Sequence, residues 1–507
     1  MMMIAVGIGC SNILMSWGTI GLVIAFIWDG GYKIKFQRIY NNKRILLLCA
    51  LYGLFVLGMI YTNNINYGFH DLKIKLPLLI IPPFVFAFGP ISKSEYKIIF
   101  HSLLFGGLIT MVAGFLMFSE ILPLKVIDMR SYSPFISHLR VGTLLVFSIF
   151  LCGYLIVNKE FKWAPGWAYV LYAICGFGFL LLLQSLTGLV ALFVSFFVAT
   201  IYGLLKRTTW KISLVLLLIG LFLSFGLAGL INREYQRIYQ VEIIDFKNLP
   251  KATIHGAIYK HYTARNETIN GHYIWINICN YELDREWRKR SKVDFDGYTK
   301  NGWPVNGALI TYLSSKGLKK NAEAVQSLTD KEVKAIENGV VNYLQLNPLD
   351  IRYRINQLFV ELDKYKTTKD ANQLSFATRL ETWKVAIHAI KKSWLIGYGT
   401  GDVKDAMEHS YQETQSKLRA ENHKNPHQQY LTTILSIGII GFFIFILIIF
   451  WPLLKFKKQN LLFLLTIIIS ATAMLDEDTL ETQAGCTQFI FLYMLTYLFH
   501  IFRKEEN

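Results

Sequence analysis

The chain has 507 residues, of which 53% are hydrophobic and only 17% charged, with a mean hydropathy of +0.36. This excludes an ordinary soluble enzyme and points to an all-α polytopic membrane protein. The formal net charge of +17 does not mark a nucleic-acid surface, because the basic residues are scattered among short loops between apolar runs and form no patch or stripe. Five of the six cysteines lie in or beside apolar runs and none has CxxC spacing, so neither a disulfide framework nor a zinc site is expected.

The chain opens Met-Met-Met-Ile-Ala-Val, without a basic leader region or a cleavage site, so no removable signal peptide is expected. Apolar segments of spanning or near-spanning length follow near residues 4–28, 45–62, 74–90, 97–118, 139–157, 166–184, 186–205 and 211–231. After a long gap come 431–454, 460–475 and 485–502, which brings the expected total to about eleven or twelve transmembrane helices. Pro77, Pro82 and Pro83 predict a kinked or short third span. The expected organisation is a membrane bundle over 1–231, a large and mostly helical domain over 232–430, and three closing spans over 431–507.

Every second connection is basic. Lys33, Lys35, Arg38, Lys43 and Arg44 follow the first span, Lys93 and Lys97 the third, Lys159 and Lys162 the fifth, and Lys206, Arg207 and Lys211 the seventh. Lys455, Lys457 and Lys458 follow the ninth, and Arg503 with Lys504 the last. The positive-inside rule puts these loops in the cytoplasm and the 232–430 region on the other side. An odd span count leaves the N-terminus outside as well, unless the first run hides two segments or an upstream span is missing.

Within 232–430, Thr329-Asp330-Lys331-Glu332 is a capping box that opens a helix stopped by Gly339, and 352–366 reads as a second, amphipathic helix. Thr378-Arg379-Leu380-Glu381 is another box. It heads a helix with the apolar stripe Leu380, Trp383, Ile387, Ile390 and Trp394. Gly397-Tyr398-Gly399-Thr400-Gly401-Asp402 follows a helix and not a strand, so it reads as a helix stop and tight turn with Asp402 as the next N-cap, not as a dinucleotide loop.

Asn425 is a good N-cap and Pro426 suits the first helical position, which predicts that the ninth span starts at Asn425 with His427 in its first turn. The positive helix end would keep that imidazole neutral and able to accept a proton, as a general base must. The bland alternative is a histidine that helps cap an interfacial helix. Arg379, at the expected start of a capped helix, fits a phosphate site made of N–H groups, dipole and guanidinium, or else a surface ion pair. Arg140 and His138 lie at the outer mouth of the fifth span, where an ionisable side chain serves a substrate or simply snorkels. His423 and His427 have i, i+4 spacing, but Pro426 intervenes and no third ligand is visible, so no metal is expected. Glu477, Asp478 and Glu481 form an acidic rim that binds a cation, accepts a proton, or is a solvated face.

Several of these stretches together resemble the O-antigen ligase and polymerase superfamily. They are Arg379-Leu380 with Trp383, Trp394 through Asp402, Asn425-Pro426-His427-Gln428-Gln429-Tyr430-Leu431, Lys75-Leu76-Pro77-Leu78-Leu79, and Leu480 through Gly485. The segment 271–342 resembles an insert of one subgroup and carries no assigned role. The resemblance implies a cofactor-free, metal-independent, inverting glycosyltransferase of the bacterial inner membrane with its large loop in the periplasm. Its donor would be a glycan on undecaprenyl diphosphate and its acceptor the sugar core of lipid A. Carried over, His427 would deprotonate the acceptor, Arg379 and Arg140 would hold the diphosphate, and His138, Asn425 and Lys75 would support them. The chain departs from many relatives at Leu186, where they carry an arginine. The sister activities, O-antigen polymerase and protein O-oligosaccharyltransferase, stay open. A transporter of lipid-linked glycans is the reading of another class, although the spans are nearly free of midplane charges.

Overall fold

The structure, a computed structural model, describes residues 1–122, 129–158, 164–206, 210–347, 350–458 and 460–505, with side chains omitted at 455–458 and 502–505. Lys159, Lys162 and Arg207 of the basic loops lie outside the described residues, as do the side chains of Lys455, Lys457, Lys458, Arg503 and Lys504. Its contacts divide the chain into two units, residues 1–220 with 364–507, and residues 221–363.

The first unit is a helical membrane bundle. The opening apolar run folds as two helices, α1 (Met2–Cys10) and α2 (Asn12–Trp28), because Ser11 is extended and its hydroxyl caps α2 by accepting from the Leu14 N–H at 3.3 Å. The α1 backbone lies directly on that of the helix Lys93–Phe118: a methyl at Gly9 would come within 2.1 Å of the Gly106 carbonyl carbon, and the Thr110 hydroxyl donates to the Gly9 carbonyl. Beyond the left-handed Gly30 and Gly31, the basic helix α3 (Tyr32–Asn41) turns away from α2 by 119°. Then come α4 (Lys43–Gly58), α5 (Ile65–Ala87) and α6 (Lys93–Phe118), the last opened by a Ser92/Glu95 capping box. The three prolines sit inside α5, which is longer than the expected third span and includes Asp71 and Lys75. The bundle continues with α7 (His138–Val157), α8 (Gly166–Leu182) and α9 (Leu186–Leu204); α10 (Trp210–Tyr239) starts in this unit, and its residues from Leu221 on belong to the second.

Among the described residues, seven helices are long and apolar enough to cross a membrane, or eight if α2 and α3 form one broken span. The protein is an all-α polytopic membrane protein. Four of the eleven expected runs fall outside that count: the first folds as α1 and α2, the third lies within α5, and α8 and the helix Leu461–Ala473 have 17 and 13 residues, the latter rising about 20 Å where the hydrocarbon core needs about 30 Å.

The second unit has its own core, in which Leu283 and Trp287 of α11 (Asn280–Arg290) pack with Leu309, Tyr312 and Leu313 of α12 (Val305–Ser315). Two short helices follow, α13 (Ala322–Gln326) and α14 (Asp330–Glu337); the second is opened by the expected Thr329/Glu332 box. A two-stranded antiparallel ribbon, β1 (Thr268–Ile269) and β2 (His272–Tyr273), turns through the left-handed Asn270 and Gly271. α15 (Ile351–Thr368) covers the amphipathic helix expected near 352–366.

The first unit's remaining elements are α16 (Ser375–Lys392), α17 (Val403–Glu413), α18 (Gln429–Phe450), α19 (Leu461–Ala473) and α20 (Gln483–Glu505). α18 is broken at Gly438, whose φ is 66°. The backbone groups freed there are taken up by the loop after α16. Tyr398 and Gly399 donate to the carbonyls of Leu435 and Ser436 at 2.7 and 3.0 Å, and the Ile439 N–H reaches the Trp394 carbonyl at 2.8 Å. Irregular backbone inside an apolar span needs such internal partners. The glycine turn is thus a helix stop, as expected, but Asp402 does not cap α17 with its side chain. Its carboxylate instead accepts the Asn63 and Asn64 N–H groups, both at 2.7 Å, at the approach to α5. A methyl at Gly438 would lie 2.2 Å from the Leu395 oxygen. Gly438→Ala is therefore expected to cost about 3 kcal/mol or more of stability, read as a lowered Tm in detergent.

The stripe on α16 is not its buried face. Ala377, Glu381, Thr382, Val385, Ala386 and Ala389 are buried, while Ile387 and Trp394 are exposed. Small side chains let α16 approach α17 and α18 closely, which the larger residues of the stripe would prevent.

Candidate active site

The site is organised by the short loop Asp476–Thr482 between α19 and α20, whose acidic residues each meet a basic or N–H group from another element. Asp476 pairs with the Arg379 guanidinium of α16 and accepts from the Thr187 hydroxyl at the start of α9. Glu477 lies 3.6 Å from Arg140 Nε at the start of α7. Asp478 accepts the His427 backbone N–H at 3.0 Å and the Thr432 hydroxyl at 2.7 Å. Glu481 accepts from Lys75 of α5 at 2.9 Å, and the Thr482 hydroxyl accepts from Arg140 at 3.0 Å. The acidic rim is therefore not a solvated face. Carboxylates taken out of water need such partners to remain ionised.

His427 sits differently from the expectation. α18 begins at Gln429, not at Asn425, and its N-cap is Gln428, whose side-chain oxygen accepts from the Leu431 N–H at 2.6 Å. His427 precedes the helix in a left-handed conformation, φ 50°. Histidine adopts that region more readily than most side chains, and Asp478 holds the peptide there by its N–H. The rest of the loop is pinned from two further helices. Trp383 donates its indole N–H to the Pro426 carbonyl at 2.9 Å, and the Tyr411 hydroxyl donates to the Lys424 carbonyl at 2.9 Å.

Arg379 is also displaced from its expected place. α16 starts four residues upstream, at Ser375, and Thr378 donates to the Ala371 carbonyl instead of capping a helix. Arg379 lies past the first turn, so the free N–H groups of a helix end do not contribute to an anion site there. The guanidinium is paired with Asp476.

A cavity of about 540 Å³ opens among these elements. His427, Asn425, Arg140, Glu477, Asp478 and Glu481 are on its wall, with Tyr67, Lys404 and Lys424. From the start of α7 the described lining is Ser137, Leu139 and Arg140; His138 is the helix's first residue. Lys75 stands behind the wall, buried between Asp71 at 2.6 Å and Glu481. The His427 ring is solvent-accessible because it faces the cavity, yet protein encloses it on its other sides. Burial, followed by the charges of Lys424 and Arg379, lowers its pKa below the usual 6.5, so the ring is neutral at pH 7. The cause is enclosure and cationic neighbours rather than a helix dipole. Burial, and then Glu481, raises Asp478 to about 7; burial also raises Glu477. Arg379 is not on the cavity wall, but a neutral imidazole in a cavity that also bears the Arg140 guanidinium and the Lys404 and Lys424 ammonium groups can take a proton from a hydroxyl while the cations stabilise a departing anion.

His423 belongs to a different arrangement. Its ring stacks on Tyr411 at 4.1 Å, one nitrogen meets Glu408 at 3.0 Å and the other the Leu418 carbonyl at 3.0 Å. Both of its ring nitrogens are engaged within this arrangement. The contacts of Asp476 and the pinning by Tyr411 are not readable from the chain. The signal that was present is Asp476-Glu477-Asp478 with Glu481, four acids in six residues between two apolar runs. At the departing position Leu186, the turn keeps a link to the site through the neighbouring Thr187 hydroxyl on Asp476.

The fold and this cavity define a multi-pass helical membrane protein with a histidine and arginine site held by an acidic loop. Residues 340–446, which include Arg379, the Gly397–Asp402 turn and His427, match the family model described as O-Antigen ligase, placing this segment in the O-antigen ligase and polymerase superfamily. An uncharacterized protein of Haemophilus influenzae is similar to this chain at 25% identity over 207 residues, 40% of this chain and 45% of that protein. The chain thus spans less than half the length of that relative.

Proposed function

We propose that the protein is an O-antigen ligase-like glycosyltransferase that moves a glycan from undecaprenyl diphosphate to the sugar core of lipid A at the periplasmic face of the inner membrane. In this reading the acceptor hydroxyl attacks the anomeric carbon as the bond from that carbon to the diphosphate oxygen breaks, with inversion. The hydroxyl proton passes to His427, and the diphosphate leaves as an anion stabilised by Arg140 and Arg379. Both guanidiniums already touch an acidic or hydroxyl partner, but each carries five N–H donors, so phosphate oxygens can be added to those contacts. The observation that carries the reading is the shared cavity in which the neutral His427 and Arg140 stand together, with Arg379 close enough to depress the imidazole's pKa.

The deciding experiment supplies purified protein with a lipid-linked donor and lipid A core in detergent. A new glycosidic bond is expected; its absence, with donor movement across a vesicle bilayer instead, overturns the reading in favour of a transporter. In a deletion strain, uncapped core with accumulated long chains is the expected gel pattern, and core bearing a single repeat would assign polymerase activity instead. The pH dependence follows from His427. A base with a lowered pKa is deprotonated down to lower pH, so kcat/KM is expected to be flat through pH 7 and to fall only below 6.5. An ascending limb centred at or above 6.5 would exclude His427 as the base.

A further inference from the structure

The basic helix α3 leaves the end of α2 through the left-handed pair Gly30 and Gly31 with a turn of 119°, so its axis is much nearer to perpendicular than to parallel to the helix before it. Three stripes run along it. Lys35 and Ile39 face the bundle, where the Lys35 ammonium is buried, donates to the Phe26 carbonyl at 3.0 Å and pairs with Asp29 at 2.9 Å. Tyr32, Phe36 and Tyr40, spaced by four, form an aromatic stripe that is largely open, with Phe36 60% and Tyr40 77% exposed. Beside it lie the exposed and polar Lys33, Gln37 and Asn41. Trp28, 90% exposed, stands just before the turn. α3 carries no acidic residue and Asp29 is taken by Lys35; the side chains of Lys33 and of Lys43, the first residue of α4, have no ion pair or hydrogen bond among the described residues.

We infer that α3 is an interfacial helix that docks on anionic phospholipid, with Tyr32, Phe36 and Tyr40 among the ends of the acyl chains and Lys33, Arg38 and Lys43 against the headgroup phosphates. With α2 across the bilayer, a helix turned across its end lies along the membrane surface, in the connection that the positive-inside rule assigns to the cytoplasm. The aromatic stripe selects lipid over a free anion, which needs only the cations, because Trp28 and the two tyrosines are the side chains that a headgroup layer covers best. The unpaired lysines beside it match the negative potential of an anionic leaflet. Arg38 donates to the Ala87 carbonyl at the end of α5 at 3.1 Å and keeps further N–H donors for a phosphate. It thereby joins the lipid contact to the helix that brings Lys75 to Glu481. The assignment is independent of the reaction proposed above.

Full-length protein is reconstituted in phosphatidylcholine bilayers that contain either brominated phosphatidylglycerol or brominated phosphatidylcholine, and the fluorescence quenched is compared between the parent and Trp28→Phe, which isolates that one indole. Quenching at Trp28 is expected with both lipids, and phosphatidylglycerol is expected to be preferred. In Lys33→Gln with Lys43→Gln the preference is expected to fall about fivefold for each lysine removed, the attraction of one such cation to an anionic surface. In the parent it is expected to weaken as NaCl rises from about 0.1 M to about 1 M. Inorganic phosphate at matched ionic strength is expected to displace no more lipid than NaCl does. Tyr40→Trp in the Trp28→Phe background moves the indole onto α3 itself, where quenching is expected as well. Equal quenching by the two lipids in the parent, a preference unchanged in the double lysine variant, displacement by phosphate beyond that of NaCl, or an unquenched indole at position 40 would overturn the assignment. If the double variant fails to fold, Lys33→Gln alone is expected to show a single fivefold fall.

Discussion

His427→Asn is expected to lower the transfer rate by about a hundredfold to ten-thousandfold, the range a positioned general base contributes. Asparagine tolerates the left-handed backbone that His427 adopts at φ 50°, and it keeps the peptide N–H that Asp478 accepts, so the melting temperature is expected to stay near that of the parent protein. His427→Ala removes the base equally but adds the strain of a methyl side chain in that conformation, about 1 kcal/mol. Transfer by both variants is read with purified protein, lipid-linked donor and acceptor. A rate within tenfold of the parent would mean that the acceptor proton leaves by another group, the flanking carboxylates Glu477 and Asp478 being the next to test. The effect is expected in kcat and kcat/KM together, since the proton moves only as the new bond forms.

Lys75→Met is expected to produce the largest loss of stability, about 3–5 kcal/mol. The ammonium group is 1% exposed, lies 2.6 Å from Asp71 and 2.9 Å from Glu481, and rests over the Phe55 ring at 4.8 Å. Methionine fits the volume but leaves two enclosed carboxyl groups facing each other without a cation. Glu481 belongs to the loop that holds Arg379, Arg140 and the His427 peptide, so the same change is expected to disorder the cavity and reduce transfer. Thermal unfolding in detergent measures the first effect. Replacing all three members, as Asp71→Asn with Lys75→Met and Glu481→Gln, is expected to recover most of the lost stability, because no unpaired charge then remains. A single Lys75→Met protein that melts like the parent would show that the cluster carries no such load.

The acidic loop also marks where sequence reasoning reached its limit. Four acids in six residues at the edge of an apolar run have two readings, a solvated rim or a set of partners, and only the facing elements choose between them. Those elements are remote in sequence: Arg140 stands 337 positions before Glu477, and Lys75 stands 406 before Glu481. The helix starts show the same limit at shorter range. Asn425-Pro426 is a sound local start signal, yet Asp478 takes the His427 N–H and Gln428 caps the helix instead. Thr378 could open a helix by its spacing to Glu381, but Leu374 and Ser375 extend α16 upstream and leave Arg379 beyond the first turn.

The chain alone determined the class of protein, since apolar length and the placing of lysine and arginine follow from the cost of carrying charge and bare peptide groups into lipid. It likewise determined the Thr329 capping box, the glycine stop after α16 and the residue types of the candidate site, because caps, tight turns and titratable side chains are local chemistry. The tertiary structure decided the rest. It split the first apolar run at Ser11, broke α18 at Gly438 against the Trp394–Gly399 backbone, and brought α5, α7, α16 and α18 to one short loop. Those outcomes depend on which buried polar group finds which partner, a balance set across hundreds of residues that no window of sequence contains.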